Sequence, residues 1–249
     1  TAFGATHSSF LAMRGVTGPP EVFEGNKGFM DSISGHFEID WSSEKVDRVE
    51  LTDIKKYNAE GHSQPAIEGV LELREEHGFS GCDVKRVEIE VFDVAFNIIG
   101  GGEEGHKKDI RNKEQADHSL PYMIAAAILD GDVMMNAYDE VRIMSDDIQE
   151  LLQKVVTHPN EEYTDRFPNE MPTTIKIVLK DGRIVIKDKT GYEGFHTSPM
   201  SWNSVVRKFE ILSGPHAGSR LIKDIIDSTQ IIESVPVKEF TELLAQVKN

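Results

Sequence analysis

Apolar residues change their spacing several times along this chain, and each change marks an element. From Ala5 to Arg14 the residues suit a helix that Gly15 can stop. Thr17-Gly18-Pro19-Pro20 breaks it, and a short helix over Glu21 to Phe29 is expected to follow. Between Gln64 and His77, Ile67, Val70, Leu71 and Arg74 recur at helical spacing before Gly78. Val87 to Phe96 then alternates, with Val87, Ile89 and Val91 on one side and Glu88 and Glu90 on the other, which predicts a strand with one wet face. Gly100 to Lys113 reads as a polar loop.

Tyr122 to Leu129 is apolar nearly all round, which predicts a buried helix. Ser119 can cap its start, Pro121 suits the first turn and Gly131 closes it. A short helix near Asp146 to Leu152 leads to a strand at Lys154 to His158. Thr174 to Leu179 and Arg183 to Lys187 flank Lys180-Asp181-Gly182 as a hairpin. Beyond Gly194 helical stripes return, one through Trp202, Val205, Val206, Phe209 and Leu212, another through Val237, Phe240, Leu244 and Val247.

The pattern predicts an α+β fold, with a central sheet of about four mostly antiparallel strands. Residues 50–195 form the central α+β part. Residues 1–49 and 196–249 are expected to pack together as a helical subdomain, with the polar stretch 42–50 as one crossing between the two.

Composition narrows the function. The 249 residues carry 27 basic and 43 acidic side chains, a net charge of −16. So acidic a chain is a poor non-specific nucleic-acid binder, although a few local cations can still hold a small anion. No apolar run approaches the roughly 20 residues of a membrane span. The single cysteine, Cys82, allows no internal disulfide and no usual iron–sulfur ligation, and a reducing cytoplasm is the expected compartment. The nine histidines have no zinc-site spacing, so neither metal nor cofactor is expected. Gly100-Gly101-Gly102-Glu103-Glu104-Gly105 lacks the Lys-Ser/Thr of a phosphate loop.

Two clusters carry chemistry. Lys55-Lys56-Tyr57-Asn58-Ala59-Glu60-Gly61-His62-Ser63-Gln64 gathers two ammonium groups, a carboxylate, an imidazole, a hydroxyl and an amide before a helix. Asp117-His118-Ser119-Leu120-Pro121-Tyr122 opens the most buried helix. Each puts an imidazole at a helix start, where an anion is favoured, which suggests one shared anion site. The plainer alternative is that Ser63 and Ser119 cap helices, Tyr122 is a core residue and the charges are solvated.

The string ADHSLPYMIAAAILDG from Ala116 resembles the signature helix of the MmgE/PrpD family. AEGHSQPAIEG from Ala59 to Gly69 is similar to that family's substrate-loop segment. GVTGPPEVFEGNKGF near the start and SPMSWNSVVRKF near the end are similar to further landmarks. The resemblance runs over nearly the whole chain, in four ordered motifs.

It implies a two-subdomain homodimer with the active site between a helical and an α+β subdomain. It also implies metal-free chemistry on small di- and tricarboxylates: dehydration of 2-methylcitrate in propionate breakdown, decarboxylation of cis-aconitate or epimerisation of iminodisuccinate. The His62-Ser63-Gln64 segment favours dehydration. On this resemblance His62 and His118 would do the acid–base work, and Tyr122 would donate to the leaving hydroxyl or a carboxylate. Glu60 would orient an imidazole. Lys55 or Lys56 would clamp a carboxylate, with Ser63, Gln64 and Ser119 at the substrate. The family fold starts in earlier helices that supply further catalytic residues, a lysine among them. Thr1 is therefore expected to begin after part of the site, and a non-catalytic fragment is the rival reading.

Overall fold

The computed structural model describes residues 2–45 and 48–247, so residues 46 and 47 of the expected 42–50 crossing lie outside the described residues. The chain divides into two compact units, Thr1–Arg48 and Val49–Asn249.

In the first unit, helix α1 (Ala2–Met13) has no buried residue, and Gly15 follows it with φ +87°. The expected helix over 21–29 is instead a run of turns, ending in a single π-helical turn at Met30–Ser34. Gly25 and Gly28 weaken helical propensity, and Lys27 adopts φ +60°, which no α-helix tolerates. Phe29 holds the turns together, edge-on to Phe23 and Phe37 at 6.1 and 6.3 Å.

The second unit is built on a four-stranded sheet in the order β2-β1-β3-β4. Strand β1 (Val84–Val91) ends earlier than its apolar run suggests, because short helix α3 (Asp93–Ala95) and a π-helical turn at Phe96–Gly100 take over. Strands β3 (Thr173–Leu179) and β4 (Ile184–Lys189) form the expected hairpin, with Gly182 at φ +93° in its turn. β1–β3 and β3–β4 are antiparallel, whereas β2 (Val155–Pro159) lies parallel to β1, with Val87 opposite Val155 and Ile89 opposite Thr157. A parallel neighbour needs a long crossover. Here it runs through α4 (Lys113–Ala116), α5 (Leu120–Asp130), α6 (Glu140–Ile143) and α7 (Asp146–Gln153).

Val87, Ile89, Val91, Ile175 and Ile177 are buried on one sheet face, where α2 (Gln64–His77) covers β3 and β4 and α5 covers β2. Each such side chain contributes about 1.5–3 kcal/mol by leaving water. Gly69 lets α2 come this close, since a Cβ there would stand 2.6 Å from Ile175 Cδ1. Helix α5 is buried from Leu120 through Ile128, and the Ser119 hydroxyl accepts from Tyr122 N–H at 3.1 Å as its N-cap. The other sheet face carries Arg86, Glu88, Glu90 and Lys176 together with exposed Ile184 and Ile186.

After β2 comes α8 (Glu161–Arg166), and after β4 come α9 (Trp202–Ser213), α10 (Ser219–Gln230) and α11 (Val237–Leu244). Their burial is shallow: α9 and α11 have no fully buried residue, and α10 has Ile222 and Ile225. Among the described residues no helix is long and apolar enough to cross a membrane.

Candidate active site

The first cluster is a strap stitched down at both ends. Ile54 N–H donates to the Gly194 carbonyl at 2.7 Å, and Asn58 N–H to the Val133 carbonyl at 2.9 Å. Gly194 has φ +119° and sits against the Ile54 backbone, a position that excludes a side chain. Gln64 is fully buried. Its Oε1 accepts from Tyr57 N–H at 2.9 Å and its Nε2 donates to the Tyr57 and Ala59 carbonyls at 3.2 and 3.3 Å. Ser63 Oγ donates to the Glu60 carbonyl at 2.6 Å. The polar atoms of Ser63 and Gln64, expected at the substrate, are thus spent on shaping the strap.

Helix α2 spans Gln64–His77, the range its apolar spacing indicates. A 3₁₀ turn at Gly61–Ser63 precedes α2, and Glu60 caps it by accepting from His62 N–H at 2.8 Å. Glu60 Oε1 lies 2.8 Å from His62 Nδ1, an ion-pair distance with the angle off a hydrogen-bond line. Burial pushes the Glu60 carboxyl upward, but the His62 contacts and the Lys55 charge more than offset this and hold it below the usual carboxylate range. The His62 ring is edge-on to Phe92 and Phe167, 5.4 and 5.7 Å away, and those two rings stack at 4.4 Å. A carboxylate on one side and an aromatic wall on the other fix the imidazole plane.

Lys56 enters a charge network. Its ammonium reaches Glu68 Oε1 at 2.8 Å and Glu193 Oε2 at 2.9 Å. Burial alone would lower its pKa, but these two carboxylates raise it instead. Glu193 Oε1 accepts from Ser204 Oγ at 2.6 Å and Ser201 N–H at 3.3 Å, so the first turn of α9 rests on this carboxylate. Those contacts and Lys56 hold the Glu193 carboxyl at about 2. Beside it lies a cavity of about 330 Å³ lined by Lys56, Tyr57, Glu193, Ser204, Arg207 and Lys208 among others. Lys55 is exposed, and its carbonyl accepts a hydrogen bond from Lys208 Nζ.

The second cluster is arranged differently. His118 is exposed, with Nδ1 2.6 Å from Asp117 Oδ1, and Asp117 also pairs with Lys113 at 3.1 Å. Ser119 is buried; besides capping α5 its hydroxyl donates to the Lys107 carbonyl at 2.6 Å. Tyr122 is fully buried, and its hydroxyl donates to the Ala137 carbonyl. Burial raises its pKa beyond the ordinary phenol range. Among the described residues no hydrogen bond, ion pair or ring contact joins His62 to His118, and neither imidazole lines the 330 Å³ cavity.

The structure thus brings Glu60 and His62 together and places Lys55 and Lys56 on the same strap. It adds Glu193, Arg207 and Lys208, which the sequence reading gave no role although Arg207-Lys208 stands inside the motif SPMSWNSVVRKF. Among the described residues no group of three or more His, Cys, Asp or Glu side chains could hold a metal ion.

Residues 57–231 match the MmgE/PrpD C-terminal domain. The chain is 24% identical to the mitochondrial 2-methylcitrate dehydratase of Yarrowia lipolytica over 96% of its own length and 48% of that protein's. It is likewise 24% identical to the 2-methylcitrate dehydratase of Salmonella typhimurium, over 96% and 52%. It is 23% identical to the cis-aconitate decarboxylase of Mus musculus, over 89% and 45%. The chain therefore spans about half the length of the curated relatives it matches. With the family's C-terminal domain matched across most of its residues, this chain belongs to the MmgE/PrpD family.

Proposed function

We propose that this chain carries the His62–Glu60 part of the active site of a lyase that dehydrates 2-methylcitrate or a related tricarboxylate. The observation that carries the reading is the imidazole fixed between Glu60 and the Phe92–Phe167 stack, on a strap that also bears two lysines. The dehydratase names of the two 24% identical relatives support the same substrate class.

Elimination needs a base for the C–H beside a carboxylate, an acid for the departing hydroxyl, and cations for the carboxylates. His62 takes or gives the proton at Nε2, because Glu60 engages Nδ1. The C–H electrons form the alkene as the C–O bond breaks, and the hydroxyl leaves as water with the added proton. Lys55 is the nearer clamp for a substrate carboxylate, since Lys56 is committed to Glu68 and Glu193. His118 stays the second acid–base candidate. Tyr122 joins the chemistry once its hydroxyl leaves the Ala137 carbonyl. No metal takes part in this scheme. In this reading the enzyme works in the reducing cytoplasm, in keeping with its single cysteine, and assembles as a homodimer.

Incubation with 2-methylcitrate and detection of ultraviolet absorbance from the conjugated alkene tests this function. The mouse relative's name favours one second reading, decarboxylation of cis-aconitate. Release of carbon dioxide from that substrate without alkene formation from methylcitrate would select it.

A further inference from the structure

Three cations of this unit that form no ion pair lie close together. Among the described residues Lys55, Arg207 and Lys208 form no ion pair, although the neighbouring Lys56, Lys187 and Lys189 are all paired with carboxylates. Lys208 Nζ donates to the Lys55 carbonyl, and the Lys55 side chain lies over Gly61, in the turn between Glu60 and His62. Arg207 and Lys208 line the 330 Å³ cavity beside Lys56. That volume is at the small end of the about 300–1,000 Å³ range of small-molecule pockets.

Two carboxylates share that wall. Glu193 is neutralised by Lys56, which leaves Asp132 as the other carboxylate lining the cavity with Arg207 and Lys208. Burial and the nearby Lys55 charge hold the Lys208 ammonium below its ordinary pKa. A small anion placed between these groups would relieve both the desolvation and the repulsion.

We infer that Arg207 and Lys208 of α9, together with Lys55 of the strap, form a carboxylate-binding subsite that holds one end of a polycarboxylate whose other end reaches His62. The inference rests on the proposed tricarboxylate reading of the His62 strap. It assigns substrate recognition to the C-terminal helices as well as to the α+β part. Arg207 supplies a planar fork suited to a carboxylate, and Lys208 a point charge already fixed by its bond to the strap. The 330 Å³ cavity joins the two elements, so a bound anion would also tie α9 to the strap.

The test is calorimetric titration of the 249-residue chain with citrate at low ionic strength, with far-UV circular dichroism to confirm that each variant is folded. Saturable binding is expected for the native chain. Lys208→Met and Arg207→Gln should each weaken it at least about 10-fold, the effect of losing one charge-assisted contact. Lys208→Arg should retain more affinity than Lys208→Met. Lys223→Met, which removes the same charge from α10, should leave it unchanged. No saturable binding by the native chain, an unchanged Kd in Lys208→Met, or equal weakening by Lys223→Met overturns the inference. Turnover of methylcitrate with an unaltered KM in Lys208→Met also overturns it while leaving the proposed activity intact. Citrate binding that depends on Lys208, without alkene formation in the active assembly, leaves the subsite standing and removes the dehydratase reading.

Discussion

Gln64 reaches back seven residues to Tyr57 and satisfies both its N–H and its carbonyl, at 2.9 and 3.2 Å. One buried amide thus plays the part of a neighbouring strand for a strap that has none. Replacing Gln64 with Ala leaves Tyr57 N–H buried and unpaired, at a cost of about 1–3 kcal/mol. Urea midpoints at neutral pH check this. Gln64→Glu should also destabilise, because a carboxylate cannot donate to the Tyr57 and Ala59 carbonyls.

His62→Asn should lower kcat for alkene formation by about 10²–10⁴-fold, the usual worth of a positioned acid–base group. Glu60→Gln keeps the shape but removes the negative charge beside Nδ1. Its loss should be smaller than that of His62→Asn, with an altered pH–rate profile. A Glu60→Gln enzyme with the native profile would remove Glu60 from the mechanism.

Glu193 sets an acid limit on stability. Its carboxyl is held at about 2 against an ordinary value of 4.5. The unfolded chain binds that proton first, so the stabilisation is complete above pH 4.5 and drains away as pH falls toward 2. Glu193→Gln should cost about 1–2 kcal/mol at pH 7. Its stability should then fall less steeply than the native protein's between pH 4.5 and 2, as measured by urea unfolding at several pH values. Parallel curves would show that the α9 contacts to this carboxylate are worth little.

Exhaustive treatment with EDTA should leave dehydration by the active assembly unchanged. The motive is in the sequence, with one cysteine and no metal-spaced histidines. Loss of turnover restored by iron or zinc would refute the metal-free scheme.

Elements governed by near neighbours were legible in the sequence. Helix α5 declared itself through Ser119, Pro121, Gly131 and the apolar run between them, and the β3–β4 hairpin through Asp181-Gly182. The expected helix at 21–29 failed because two glycines and a left-handed Lys27 outweigh Val22 and Phe23. Helix α10 is the element that the two C-terminal stripes do not include, although Leu221, Ile222, Ile225 and Ile226 carry its period. The same rule divides the site. Glu60 and His62 are two residues apart and readable together, whereas Lys55 and Lys208 are separated by 153 positions and meet only through the fold. The carbonyl that Tyr122 donates to, Ala137, lies in a separate turn and gives no signal in the residues around Tyr122.

The glutamates of α2 and the lysines of β4 work as a vernier. Glu68, Glu72 and Glu76 recur every four residues, and Lys189 and Lys187 every two, in the opposite direction. Four helical residues advance roughly 6 Å and two strand residues roughly 6.7 Å, so the two scales nearly coincide over a few rungs and then diverge. Sliding the helix by one turn along the strand would therefore move every rung together and part Glu68, whose side chain is 8% exposed, from Lys189. The helix that begins at the His62 turn is thus indexed against the sheet by charge as well as by packing, and its position along the strand is set to a single tooth.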